Sequence, residues 1–167
     1  MKDIDELYYK YSKKIYNYLY YLTCDTYKAD ELTQETFYQA IISIAKFNNN
    51  SAVSTWLYSI ARNVYLKYLR KNNRQMLSYD DSILADLASD AESLPEEMLL
   101  RKDTINRVRM VIEKLPESYA TVLVLRDKEG LSYKEIAEIT GMSEASVKVN
   151  IYRARQKFKE EYSKIDY

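Results

Sequence analysis

The sequence of 167 residues contains no histidine, a single cysteine, two glycines and two prolines. The absence of histidine removes the commonest metal ligand and general base, and one cysteine cannot form an internal disulfide. Cys24 lies in an apolar helical context, which favours a small core residue over a nucleophile. No metal cluster, phosphate loop or nucleophile–base set is visible, so an enzyme is the least favoured class. We expect no catalytic residue, no metal and no cofactor.

Long apolar runs are missing as well. No stretch reaches the length of a membrane span or of a signal peptide. An apolar content of 47% nevertheless excludes a fully disordered chain. We therefore expect a soluble, cytoplasmic protein with a packed core.

The few helix breakers stand where helix boundaries are expected. Pro95 and Pro116 fall at helix starts, and Gly130 and Gly141 fall at helix ends. Because no period-two alternation is present, the pattern predicts an all-α fold. The predicted helices cover residues 3–22, 28–47, 53–74, 95–115, 117–129, 132–139 and 143–163.

Basic and acidic residues are unevenly distributed along the chain, although the net charge is zero. Residues 1–74 carry 11 basic and 7 acidic side chains, residues 75–103 carry 2 and 8, and residues 104–167 carry 12 and 10. This pattern predicts two small helical domains, 1–74 and 104–167, joined by an acidic flexible linker, 75–103, that runs into the next helix. Taken alone, such a linker is equally well explained as a solvated tether with no more specific role.

Residues 131–159 predict a helix-turn-helix that ends the second domain. Ser132 and Glu135 form a capping-box pattern, Gly141 suits the tight turn, and Ser143 caps the next helix. Between Lys148 and Lys159 there are five cations and no acid. A basic helix of this kind suits DNA phosphates and base edges, and the competing interpretation is a helical hairpin with a solvated basic face.

The third predicted helix carries a second acid-free basic stripe. The polar loop Asn48, Asn49, Asn50 and the aromatic Trp56 precede it, and the stripe itself contains Asn63, Lys67, Arg70 and Lys71. Aromatic rings that stack bases beside cations that hold phosphates favour binding of an unpaired strand. Alternatively, Trp56 is a core residue, as large aromatics at helical spacing usually are.

On the second helix, Glu31, Gln34, Glu35 and Tyr38 share a polar face that by itself indicates only solvated surface.

Two stretches together resemble the extracytoplasmic-function group of bacterial RNA polymerase sigma factors. They read ADELTQETFYQAIISIAKF followed by STWLYSIARNVYLKYLRK, and LPESYATVLVLRDKEGLSYKEIAEITGMSEASVKVNIYRARQKF. The likeness covers nearly the whole length in the order of the family. Two departures concern specificity positions: the loop after Phe47 lacks the glycine often found there, and Val149-Asn150 replaces a common serine–arginine pair.

The resemblance implies a role for each surface. The face of Glu31, Gln34, Glu35 and Tyr38 would contact the clamp helices of the largest polymerase subunit. The segment 47–74 would recognise and melt the minus-ten element through Asn48, Asn49, Asn50, Trp56, Asn63, Lys67, Arg70 and Lys71. The helix-turn-helix would read the minus-thirty-five element through Lys148, Val149, Tyr152, Arg153 and Arg155.

The expected function is therefore that of a transcription initiation factor. It would bind core RNA polymerase, direct it to one class of promoter DNA and help to open the strands, without catalysing a reaction itself. The resemblance also implies an anti-sigma factor partner, which in this family is often membrane-bound. Two alternatives stay open at this point: a stand-alone helix-turn-helix transcriptional regulator, and a helical adaptor that binds only proteins.

Overall fold

The computed structural model describes residues 4–75 and 96–165, and all regular secondary structure in these two ranges is helical, which confirms the all-α prediction. The helices are α1 (Ile4–Thr23), α2 (Thr26–Ser43) with a 3₁₀ turn (Ile44–Lys46), α3 (Val53–Gln75), α4 (Glu96–Lys114), α5 (Glu117–Asp127), α6 (Tyr133–Thr140) and α7 (Glu144–Ser163). Residues 76–95 of the predicted linker lie outside the described residues, and residues 96–103 belong to α4. The boundaries of the two domains stay a prediction.

The first half is built from α1, α2 and α3. A two-residue turn joins α1 to α2, and in it Cys24 takes a positive φ of 51° while the Asp25 side chain accepts bonds from the backbone amides of Tyr27 and Lys28. Cys24 is buried, and burial raises the pKa of its thiol. This is the environment of a core residue and it disfavours the thiolate that a nucleophile requires.

The second half is built from α4 to α7, and its turn chemistry matches the sequence prediction. Ser132 and Glu135 form the capping box at the start of α6, with the Glu135 amide donating to the Ser132 hydroxyl over 3.1 Å. Gly141 ends α6 at a φ of 77°, a left-handed conformation that side chains disfavour. Ser143 then caps α7 by accepting from the Ser146 amide. These caps fix the crossing of α6 and α7.

The two halves share one continuous apolar core, because α3 packs against α6 and α1 packs against α5. Polar contacts cross between the halves as well. The Tyr58 hydroxyl donates to Glu129 over 2.8 Å, and Arg62 forms an ion pair with Glu117 at 3.3 Å. Arg109 donates to the backbone carbonyl of Cys24. Sequence reasoning placed a linker between two separate cores and did not predict this contact.

Candidate nucleic-acid and polymerase interfaces

Helix α7 presents its predicted reading residues to solvent because its opposite face is anchored. Val147, Ile151 and Ala154 are buried in the core. Lys148, Val149, Tyr152 and Arg153 are exposed, with 46% of Val149 and 66% of Tyr152 accessible. Exposed apolar side chains on the outer face of a basic helix suit contact with base edges, where a thymine methyl group accepts apolar contact. The structure therefore brings these four residues together on one surface.

Arg155 is exposed too, but its guanidinium is held by a neighbouring helix. Its Nε atom donates to Asp127 at the end of α5 over 3.1 Å, and its Nη2 atom contacts the other oxygen of the same carboxylate. This two-point bond raises the pKa of Arg155. One edge of the guanidinium is thus already bonded to Asp127, and Arg155 differs in this respect from the other four predicted residues of α7.

A cation–aromatic cluster lies beside α7, and sequence reasoning did not identify it. The ring of Tyr133, the first residue of α6, lies 4.4 Å from the Arg126 guanidinium carbon and 5.3 Å from the Lys148 nitrogen. Arg126 also donates to the carbonyl of Leu131 over 2.8 Å. The basic character of the helix-turn-helix segment was the only indication of this cluster in the sequence, because no local spacing links residues 126, 133 and 148.

The basic stripe of α3 is exposed as predicted. Asn63, Lys67, Arg70 and Lys71 all reach solvent, and no ion pair to an acid is found for the three cations within the described ranges. Between α3 and α2 runs a groove of about 490 Å³, lined from α3 by Asn63, Lys67 and Lys71 and from α2 by Glu31 and Glu35. The predicted strand-binding surface and the predicted polymerase-binding surface therefore share one groove.

Trp56 is neither fully core nor fully exposed. It is half-buried against the apolar cluster, and its ring centroid lies 4.7 Å from that of Phe47. One part of the indole thus packs inside while the remainder is accessible at the start of α3. Such an arrangement holds the ring rigidly and leaves it able to contact a base.

The asparagine loop before α3 is exposed, and one of its residues adopts the left-handed conformation. Asn49 adopts a φ of 58°, and the side chain of Asn48 accepts from the Asn50 amide over 3.2 Å. Asparagine tolerates this conformation better than other residues with a side chain. The missing glycine therefore does not prevent the loop from making its turn.

The α2 face is exposed at all four predicted positions, Glu31, Gln34, Glu35 and Tyr38. The surface continues beyond them to Ile41 and Ile42, of which 50% and 57% are accessible. The sequence prediction missed these two isoleucines, because an apolar residue at helical spacing normally indicates a core position. An exposed apolar end on a charged face is typical of a protein-binding surface.

Comparisons with known proteins identify the family of the chain. Two family models match the chain: Sigma-70 region 2 over residues 7–75, and Sigma-70, region 4 over residues 105–158. The ECF RNA polymerase sigma factor SigM of Bacillus subtilis is 34% identical over 161 residues, covering 96% of each chain. The chain belongs to the extracytoplasmic-function sigma factors.

Other similar proteins support the same assignment. The RNA polymerase sigma factor YlaC of Bacillus subtilis is 34% identical over 161 residues, covering 96% of this sigma factor and 92% of YlaC. The fold matches that of the sigma factor RpoE solved with the anti-sigma factor NepR from Bartonella quintana, with a TM-score of 0.70, 21% identity and full coverage of both chains. It also matches CnrH, solved with the cytosolic domain of CnrY, with a TM-score of 0.68, 20% identity, and 94% and 85% coverage.

Membership of this family confirms the expected function. The protein is a transcription initiation factor that binds core RNA polymerase and directs it to promoter DNA. A stand-alone regulator is not favoured, because both sigma regions are present in one chain. Across the ranges that the structure describes, no helix has the length and apolar character to cross a membrane.

Proposed function

We propose that this sigma factor divides its work among three surfaces. The exposed face of α7 reads the minus-thirty-five element in the major groove through Lys148, Val149, Tyr152 and Arg153. The observation that carries this assignment is the anchoring of α7 by Val147, Ile151 and Ala154, which turns the four polar and apolar readers outward. Arg153 supplies the planar group best suited to a guanine.

Helix α3 and the loop before it bind the melted minus-ten element. Lys67, Arg70 and Lys71 are accessible to phosphates, and Trp56 offers an aromatic surface for a flipped base. The Asn48–Asn50 loop precedes α3, and Asn63 lies two turns after Trp56 on the same helix. The chain supplies binding energy for the open strand and performs no chemistry itself. Catalysis belongs to the polymerase, and the sigma factor acts in the cytoplasm, where the polymerase meets the chromosome.

The exposed α2 face binds the clamp helices of the largest polymerase subunit. Glu31, Gln34, Glu35 and Tyr38 form its polar part, and Ile41 and Ile42 extend it with apolar area. Aromatic and apolar groups surrounded by charged ones are the composition of a reversible protein interface. Such an interface fits a subunit that joins the core enzyme for initiation and then leaves.

Contact with both promoter elements requires the two halves to separate. The elements are about 25 base pairs apart, which corresponds to about 85 Å of duplex. A compact chain of this length has a radius of gyration of only about 15 Å. Since the halves share one core here, the contacts between α3 and α6 and between α1 and α5 must open when the holoenzyme binds a promoter.

An anti-sigma factor is the partner that would hold the free protein. RpoE and CnrH, whose fold it shares, were solved with such partners or with a partner's cytosolic domain. By this analogy the chain is kept inactive by an anti-sigma factor, which in this family is often anchored in the membrane.

In vitro transcription tests the proposal as a whole. Purified protein is added to core polymerase and a genomic template, and transcript starts are sequenced. We expect new starts with a common minus-thirty-five and minus-ten spacing. No promoter-specific transcripts, together with tight duplex binding by the free protein, would instead favour a stand-alone regulator.

Trp56 provides a test of strand opening. Trp56→Ala is expected to impair formation of the open complex more than it impairs binding to core polymerase, whereas Trp56→Phe, which keeps an aromatic ring, should retain much of the opening. Permanganate reactivity of unpaired thymines and a core-binding assay give the two readouts. Equal loss of both activities would mean that Trp56 acts only as a structural residue.

A further inference from the structure

The ring of Tyr133 lies within cation–π distance of two basic side chains that come from different helices. The Arg126 guanidinium belongs to the end of α5 and the Lys148 ammonium to the first part of α7, at 4.4 Å and 5.3 Å from the ring centroid. Cations within about 6 Å of an aromatic centroid are attracted by the ring quadrupole. Tyr133 of α6 therefore contacts side chains from both α5 and α7.

The ring is fixed from behind. Tyr133 packs against the apolar core and follows directly on Ser132, whose capping box with Glu135 sets the first turn of α6. Arg126 is fixed too, because its Nη1 atom donates to the carbonyl of Leu131 over 2.8 Å. The aromatic surface that faces Lys148 is thus part of a rigid frame.

Lys148 has no comparable restraint of its own. It is exposed, and within the residues described no carboxylate lies at ion-pair distance from its nitrogen. A lysine side chain has four rotatable bonds and loses much conformational freedom when it is held at a DNA surface. Any contact that limits its rotamers before binding reduces that loss.

We propose that Tyr133 is a positioning residue for promoter recognition: its ring holds the Lys148 ammonium in the orientation that meets the minus-thirty-five element. The proposal rests on the role assigned above to Lys148. Arg126 contributes by fixing the loop between α5 and α6, which leads directly into Tyr133. The phenol hydroxyl has no part in this mechanism, since the quadrupole of the ring supplies the attraction.

A double-mutant cycle in the holoenzyme tests the coupling. Core polymerase carrying full-length wild type, Tyr133→Leu, Lys148→Ala or the double variant is titrated with a promoter duplex identified by transcript mapping. Tyr133→Leu is expected to weaken binding about two- to fivefold, the size of one exposed cation–π contact. In the Lys148→Ala background the same substitution should change nothing, because the residue it positions has gone.

Two further variants make the test specific. Tyr133→Phe keeps the ring and should retain wild-type affinity. The effect of Tyr133→Leu in an Arg153→Ala background should equal its effect in the wild type, because Arg153 makes no contact with this ring in the structure. The base preference altered by Lys148→Ala should also be the one altered by Tyr133→Leu, and thermal melts confirm that each variant is folded.

The possible failures are distinguishable. Lys148→Ala without effect, with Arg153→Ala still harmful, overturns the positioning role and leaves α7 as the reading helix. If neither Lys148→Ala nor Arg153→Ala changes binding, the assignment of α7 to the minus-thirty-five element is itself wrong. If Tyr133→Leu weakens binding equally with and without Lys148, or if Tyr133→Phe is as harmful as Tyr133→Leu, the ring does not act through Lys148 and the proposal is wrong.

Discussion

Helices α3 and α7 are the two candidate DNA-binding helices, and they hold their cations in different ways. On α7, Arg155 is bonded to Asp127 and Lys148 lies over the Tyr133 ring. On α3, Lys67 and Lys71 extend into solvent with no such partner among the described residues. Two cations of α7 are thus held by neighbouring side chains, whereas Lys67 and Lys71 of α3 are not.

This difference matches the two kinds of nucleic acid that we propose for them. A duplex offers base edges at fixed positions in a groove, so a reader gains from side chains that are already placed. An unpaired strand has no fixed shape, and mobile cations can follow its phosphates while an aromatic ring stacks on a base. The restrained element of α3 is accordingly Trp56, whose ring packs against that of Phe47 in a tilted arrangement.

The two helices also differ in what lies behind them. The buried face of α7 packs within its own half of the molecule, against α4, α5 and α6. Helix α3 packs against α6 of the other half, and its Tyr58 donates to Glu129 in the loop between α5 and α6. Opening of the molecule therefore exposes surface beside α3 and leaves the support of α7 unchanged.

The largest effect is expected when the three exposed cations of α3 are removed together. The triple variant Lys67→Ala, Arg70→Ala, Lys71→Ala should lower the slope of log affinity against log salt for a single strand by about 2, since each lost phosphate contact contributes about 0.7. The measurement is titration of the holoenzyme with a minus-ten single strand at several salt concentrations. Lys13→Ala on the exposed side of α1 is the control, and an unchanged slope in the triple variant would assign the minus-ten contact elsewhere.

A smaller and sequence-dependent effect is expected at two cations of α7, Arg153 and Arg155. Arg153→Ala should cost about 1 to 3 kcal/mol of discrimination at one base of the minus-thirty-five element, if its guanidinium bonds to a guanine. Arg155→Ala should weaken binding to all sequences by one uniform and smaller factor, because Asp127 already holds one edge of its guanidinium. Binding to a set of duplexes with single base changes separates the two. A uniform loss for Arg153→Ala would make it a phosphate contact.

Local signals predicted most of the fold and much of the candidate sites. Pro116, Gly130 and Gly141 delimit helices, and the Ser132–Glu135 capping box is a spacing of three residues that can be read directly. The inward stripe of α7 follows from its 3.6-residue period. Each of these features depends on residues close together in the chain, which is why sequence alone was sufficient.

Contacts between distant residues could not be predicted in this way. Tyr58 and Glu129 are 71 positions apart, and Asp127 and Arg155 are 28 apart. No periodicity connects such pairs, because their meeting depends on how whole helices pack. The exposure of Ile41 and Ile42 was missed for the same reason. Whether an apolar residue is buried or exposed depends on whether another helix packs over it. The DNA and polymerase contacts of individual residues stay predictions.

A still smaller effect concerns the turn that orients α7. Gly141→Ala should lower the free energy of unfolding by about 1 kcal/mol, because alanine disfavours the φ of 77° although no atom lies within 4 Å of the added methyl group. In the loop before α3, Asn49→Gly should cost nothing from backbone strain, since glycine accepts the φ of 58°. Urea denaturation of both variants gives the comparison. If Gly141→Ala lowers the free energy of unfolding by much more than about 1 kcal/mol, Gly141 stabilises the turn through more than its backbone conformation.

The smallest effect tests the contact behind α3 through its pH dependence. Burial raises the pKa of Glu129 above its ordinary value of 4.5, although the hydrogen bond from Tyr58 and the charge of Lys14 oppose the shift. The folded state therefore binds this proton more tightly than the unfolded chain, so Glu129 makes the protein less stable as pH rises from 4.5 through the folded-state pKa. Glu129→Gln, which can still accept from Tyr58, should flatten this decline in unfolding free energy, whereas Glu144→Gln at an exposed position should not. An unchanged pH profile in Glu129→Gln would show that α3 is not held to the second half through a desolvated carboxylate.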